Sequence, residues 1–285
     1  MSTLEGKGCM RTSHIHFECN RKIVRKGESG LKTGVALMGD GYSAAAAIGA
    51  LAAIRRLDIR VAAVSATGTA ALPALLFCQE VDTSAQLGAL MKLLRFENRG
   101  GPVSRWRRKR RLIKVLERAG IAPLGPLPPA CALSAFDLQR AKDITAVTLP
   151  PGTAGDSAVI ARAEALPMAA ACIFGEKTLV TARGERYLLY GNVLLKTSLL
   201  WPLRELGAQR LLLVEADTGP DGINAREDKA ARRLQDLLDT GALKRVLCIR
   251  VPAPKDAQNV GEWAKAGYAA VMERRMDIYD SLWNT

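Results

Sequence analysis

The apolar positions of this chain fall into short blocks of two kinds, and the kinds alternate. Gly34–Met38 (GVALM) is an unbroken apolar run too short for a helix. It ends in Gly39-Asp40-Gly41, which predicts a strand entering a tight turn. Ala44–Leu57 is alanine-rich, with Ile48, Leu51 and Ile54 near one face, and predicts a helix closed by Asp58. Ile59–Val64 reads as a second strand and Thr69–Cys78 as a buried helix. Strand, helix, strand and helix in such quick succession require parallel strands joined by a right-handed crossover.

The pattern continues less regularly. Lys109–Ala119 predicts a helix ended by Gly120, and the proline-rich stretch 121–130 an irregular connection. Strands are predicted at Cys131–Phe136, Ile144–Thr148, Thr178–Thr181, Arg186–Leu189, Arg210–Val214 and Val246–Val251. Helices are predicted at Ala158–Ala165, Asp228–Leu238 and Val260–Arg274. Residues 1–32 are polar and basic without periodicity and predict a flexible arm, leaving 33–285 as one α/β domain. A chain of 285 residues with 48% hydrophobic content is long enough to bury a full core.

Composition narrows the functional classes. Cys9, Cys19, Cys78, Cys131, Cys172 and Cys248 are scattered without a C-x-x-C pair, which predicts reduced thiols in a cytoplasmic protein, with no disulfide frame and no zinc site. The start lacks the apolar segment of a secretion signal, and the longest apolar stretch, 61–78, is broken by Ser65, Thr67, Gly68 and Pro73. His14 and His16, the only histidines, both lie in the arm, so a histidine triad or histidine metal site in the body is excluded. A net charge of +13 suits anionic partners and suits a merely solvating surface equally well. It is densest at Arg105-Trp106-Arg107-Arg108-Lys109-Arg110-Arg111, a run that fits an anionic membrane surface or an acidic partner. No nucleic-acid motif accompanies it, so nucleic acid is the less favoured partner. Asp217, in the turn ADTGPDG, reads as a loop carboxylate.

Three segments carry a resemblance. GVALMGDGYSAAAAIGALAAI (34–54), VAAVSATGTAALPALL (61–76) and YGNVLLKTSLLWPLRELGAQRLLLVEA (190–216) are similar, in order, to three landmarks of the patatin-like phospholipase family. These are its glycine-rich oxyanion turn, its G-T-S-A-G-A-L nucleophile elbow, and its D-G-G segment leading to P-L-R-E-L-G-A. The resemblance implies a three-layer α/β fold, a central mostly parallel sheet flanked by helices, and a Ser–Asp dyad that cleaves acyl esters of lipids. It uses no cofactor and no metal.

The reacting atoms are missing from those motifs. With Ala71 and Leu72 as anchors, the nucleophile position falls on Gly68, and counting back from Pro202 puts the aspartate position on Gly191. In the oxyanion-like turn Gly39 and Gly41 match, but Asp40 replaces the middle glycine and Ser43 the basic residue. A carboxylate there opposes the negative charge such donors must stabilise. The resemblance therefore implies a pseudoenzyme acting by binding an active relative or other partner protein, a lipid surface or an acyl ligand. One alternative is a working lipid acyl hydrolase using Ser65, Thr67 or Ser43. Another is a basic membrane-surface adaptor led by residues 105–111.

Overall fold

Strand β1 (Thr33–Met38) is the centre around which the other elements are laid. The computed structural model describes residues 32–97, 114, 129–147, 172–173, 177–180, 186–190, 197–217 and 246–283, all within the compact unit Leu31–Thr285. Because alternate residues of a strand point to opposite faces, Val35 and Leu37 enter one apolar cluster while Ala36 and Met38 join a second. A strand covered on both faces reads as a continuous apolar run, which is what GVALM is.

The remaining strands are β2 (Val61–Ala66), β3 (Ala130–Asp137), β4 (Lys142–Val147), β5 (Lys177–Val180), β6 (Arg186–Tyr190), β7 (Arg210–Ala216) and β8 (Val246–Val251). They form an eight-stranded sheet in the order β5-β6-β3-β2-β1-β7-β8, with β4 paired to β3 off this path. The run β3-β2-β1-β7-β8 is parallel throughout, whereas β4 and β6 lie antiparallel to β3. The expected parallel pairing of the first two strands is present, with Val35 opposite Val64 and Leu37 opposite Ala66.

Helices cover both faces. On one side lie α1 (Ala45–Arg56), α2 (Ala71–Cys78), α3 (Thr83–Glu97) and α5 (Val260–Glu273), which contribute to the larger core with Val64, Leu212 and Val214 of the sheet. On the other, Leu199, Leu200 and Leu203 of α4 (Thr197–Glu205) pack on Ala36, Ala63, Leu211 and Leu213. A last helix, α6 (Arg275–Trp283), follows α5. The fold is α/β, a mostly parallel sheet between helices.

Two details explain how these elements sit. Asp58 ends α1 in the left-handed region at φ 56°, a conformation that aspartate tolerates better than most residues. At the α1–α5 crossing, Gly49 lies against the Ala264 carbonyl and Gly267 against the Ala46 carbonyl, so closely that neither position has space for a Cβ. Small residues there let the two backbones touch.

The structure differs from the sequence-based expectations at several places. Strand β2 runs to Ala66 rather than ending at Val64, so Ser65 belongs to the sheet. Helix α2 begins at Ala71, after a 3₁₀ turn over Gly68–Ala70. Helices α3, α4 and α6 were not predicted. Most of the arm, the predicted helix 109–119 apart from Lys114, and the predicted helices 158–165 and 228–238 lie outside the described residues.

Candidate functional site

Two turns meet at the carboxyl ends of β1 and β2, where open α/β sheets place their ligand crevices. The first follows β1 as Gly39-Asp40-Gly41 and continues as a 3₁₀ turn over Gly41–Ala44 that leads into α1. The second follows β2: Thr67 is extended (φ −136°, ψ 164°), Gly68 turns to φ +58°, and α2 starts three residues later. That is the backbone of a strand–elbow–helix, with the residue at its apex in the region where an L side chain is strained and glycine is not.

The turns are stitched together. The Ala70 N–H donates to the Gly39 carbonyl (3.0 Å), the Thr69 N–H to Asp40 Oδ1 (3.1 Å) and the Gly41 N–H to Thr69 Oγ1 (3.1 Å). Asp40 thus places its carboxylate at the amino end of the helical segment formed by Gly68–Ala70 and α2, where exposed N–H groups and the helix dipole favour negative charge. Ser43 closes the first turn upon itself. Its Oγ accepts from the Asp40 N–H (2.9 Å) and donates to the Asp40 carbonyl (2.8 Å). Two backbone N–H groups of the glycine-rich turn, those of Asp40 and Gly41, are therefore spent inside the protein.

The hydroxyls suggested as alternative nucleophiles are all buried: Ser65 is 0%, Thr67 2% and Ser43 4% exposed. Ser65 faces α4 and donates to the Leu199 carbonyl (2.6 Å), so its oxygen is turned away from the two loops. Thr67 precedes the apex residue. Gly191 and the run Arg105–Arg111 lie outside the described residues, as does Asp221 of the ADTGPDG turn. Asp217 donates its own N–H to the Val251 carbonyl (2.8 Å) at the end of β7.

Cys78, Cys131 and Cys172 are free and buried. Burial holds the Cys78 thiol well above its ordinary range, helped by a hydrogen bond with Cys131 and opposed by the nearby Arg55 charge. Burial likewise raises Cys172, with Cys131 and Asp40 adding negative neighbours. Such thiols stay protonated at neutral pH and are poor nucleophiles. Among the described residues no group of three or more His, Cys, Asp or Glu side chains is placed to hold a metal ion. No described helix is long and apolar enough to cross a membrane.

A polar cluster under α4 had no signal in the sequence. Pro202 sits inside α4 and has no N–H to give the Ser198 carbonyl four residues earlier. Ser134 Oγ on β3 supplies that carbonyl with a hydrogen bond (3.3 Å) and also shares one with Thr145 Oγ1 on β4 (2.8 Å). The Ser198 hydroxyl itself donates to Asp143 Oδ2 on β4.

No family model matches the chain, and no curated protein does. Among solved structures it is similar to VipD from Legionella pneumophila, at 10% identity and TM-score 0.41, covering 86% of this chain and 66% of that one. It is also similar to full-length ExoU in complex with full-length SpcU, from the type III secretion system of Pseudomonas aeruginosa. There the identity is 10%, the TM-score 0.43 and the coverage 89% of this chain and 53% of that one. A second structure of the ExoU–SpcU complex gives 13% identity, TM-score 0.44 and coverage of 89% and 52%. The chain thus spans between about half and two thirds of the length of these structures.

Proposed function

We propose that this chain is a patatin-like protein whose dyad position is chemically silent and which acts by binding. The observation that carries the reading is the glycine at the apex of the elbow. Gly68 has the left-handed backbone that the motif demands, at φ +58°, and offers no oxygen to attack an ester. The turn opposite supports it, since its Asp40 and Gly41 N–H groups are engaged by Ser43 and Thr69 and a carboxylate fills the helix end. Each missing oxyanion donor is worth about 10²–10³-fold in turnover. The lack of a nucleophile and of free donors together leaves the two turns without chemistry of the dyad type.

The ligand class this reading favours is anionic, on the strength of the +13 charge and the cationic run at 105–111. An acyl or phospholipid surface is the partner we favour, with a protein partner as the second outcome of a binding screen.

A sustained-turnover assay on a fluorogenic ester tests the silent dyad. Wild type gives no continuing turnover, and neither does Gly68→Ser/Gly191→Asp, because the turn remains closed. Adding Asp40→Gly and Thr69→Ala to that pair frees the Gly41 N–H and restores turnover. Sustained hydrolysis by wild type that Ser65→Ala, Thr67→Ala or Ser43→Ala removes would refute the reading.

A further inference from the structure

The hydroxyl of Ser198 and the carboxylate of Asp143 form a nucleophile–base pair that lies outside the silent elbow. Asp143 stands opposite Phe136 in the β3–β4 pair, near the carboxyl end of β3, which is the same end of the sheet as the two turns. Ser198 is the second residue of α4, whose first-turn N–H groups have no acceptor within the helix. Both residues are half-buried, unlike the fully buried Ser65. Their hydrogen bond is not needed to anchor α4, because the Ser198 carbonyl is already held by Ser134 and the Leu199 carbonyl by Ser65. Three residues along the helix, Trp201 is 63% exposed, with its indole N–H fixed on Glu205 Oε1 (2.9 Å). Residues three apart share a helix face, so a flat apolar surface stands beside the hydroxyl.

We propose that Ser198 is an acyl acceptor, with Asp143 as its base and Trp201 as the platform for the acyl chain. Ser198 Oγ attacks the carbonyl carbon of an activated ester while its proton passes to Asp143 Oδ2. The bond from that carbon to the leaving oxygen then breaks, and the leaving oxygen takes the proton from Asp143. The products are a Ser198 ester, a free alcohol or phenol, and the regenerated carboxylate. Hydrolysis of the new ester needs a second attack with only the helix end to stabilise it, so the site takes up about one acyl group per chain and stops.

The test uses the full chain and p-nitrophenyl butyrate. Wild type releases a burst of nitrophenolate close to one equivalent, and peptide mass spectrometry places the butyryl group on Ser198. Ser198→Ala abolishes the burst, and Asp143→Asn slows it by about 100-fold, the usual contribution of a general base. A burst that Asp143→Asn leaves unchanged, an adduct on another residue, or no adduct on wild type overturns the proposal, and mapping the wild-type adduct does not depend on any variant folding. Sustained turnover through Ser198 would overturn the single acylation proposed here and the purely binding reading together. Absence of an adduct would remove the site and leave that reading standing.

Discussion

Replacing Gly49 by alanine pits local preference against packing. Gly49 is in the middle of α1, where alanine is favoured over glycine by about 1 kcal/mol. The added Cβ would lie 1.8 Å from the Ala264 carbonyl oxygen and 2.7 Å from its carbon, whereas ordinary contact begins near 3.4 Å. Both neighbours are helix backbone, so α1 and α5 must part by about 1.5 Å. A gap of 0.5–1 Å already forfeits about a quarter to a half of the dispersion energy. Overpacking alone costs about 1–3 kcal/mol, occasionally more. With the whole seam opened, a net loss of about 3 kcal/mol is expected after the helix-propensity gain. At about 2–4 °C per kcal/mol, Tm falls by about 6–12 °C. Gly88→Ala in α3 is the control, because nothing lies within 4 Å of its added Cβ. It should gain up to about 1 kcal/mol. Thermal and urea unfolding of the two variants beside wild type decide the matter. A Gly49→Ala protein as stable as wild type would refute the close-contact argument.

Other outcomes follow from single contacts. Gly267→Ala meets the Ala46 carbonyl at 2.1 Å, and combined with Gly49→Ala it should cost less than the two losses summed, since one helix retreat relieves both; a double-mutant cycle measures this. Ser65→Ala strips the Leu199 carbonyl of its donor and should cost about 1–3 kcal/mol in urea unfolding. Asp82 caps α3 through the Ser84 and Ala85 N–H groups and the Ser84 hydroxyl, bonds that hold its pKa below the ordinary value. With the folded pKa depressed, its contribution is present above about pH 4 and fades as pH falls through the folded value. Asp82→Ala should therefore cost about 1 kcal/mol at pH 7, and the difference from wild type should vanish in acid unfolding curves. In flotation, the chain should rise with anionic but not neutral vesicles, and replacing the cations of 105–111 by glutamine should abolish this; indifference to vesicle charge would refute the lipid reading.

What could be read from the residues depended on whether the signal was local. The run at β1 and the alanine-rich α1 are buried by regular repetition, so their pattern announced them. Helix α3 carries Leu87, Leu90 and Leu94 at helical spacing with Asp82 as its cap, a signal that is local and legible in the residues. Helix α4 was concealed by Pro202, which normally argues against a helix interior, and the donor that offsets it comes from Ser134, on β3. The extension of β2 to Ala66 decided which way Ser65 points, and that register is fixed by pairing with Ala36 of β1 and Ala132 of β3. The Ser198–Asp143 pair joins positions 55 residues apart, beyond the reach of any motif.

The stitched turns also have a mechanical consequence. Thr69 and Asp40 tie the loop after β1 to the loop after β2, so the pair behaves as one body and a substitution in either is felt by both.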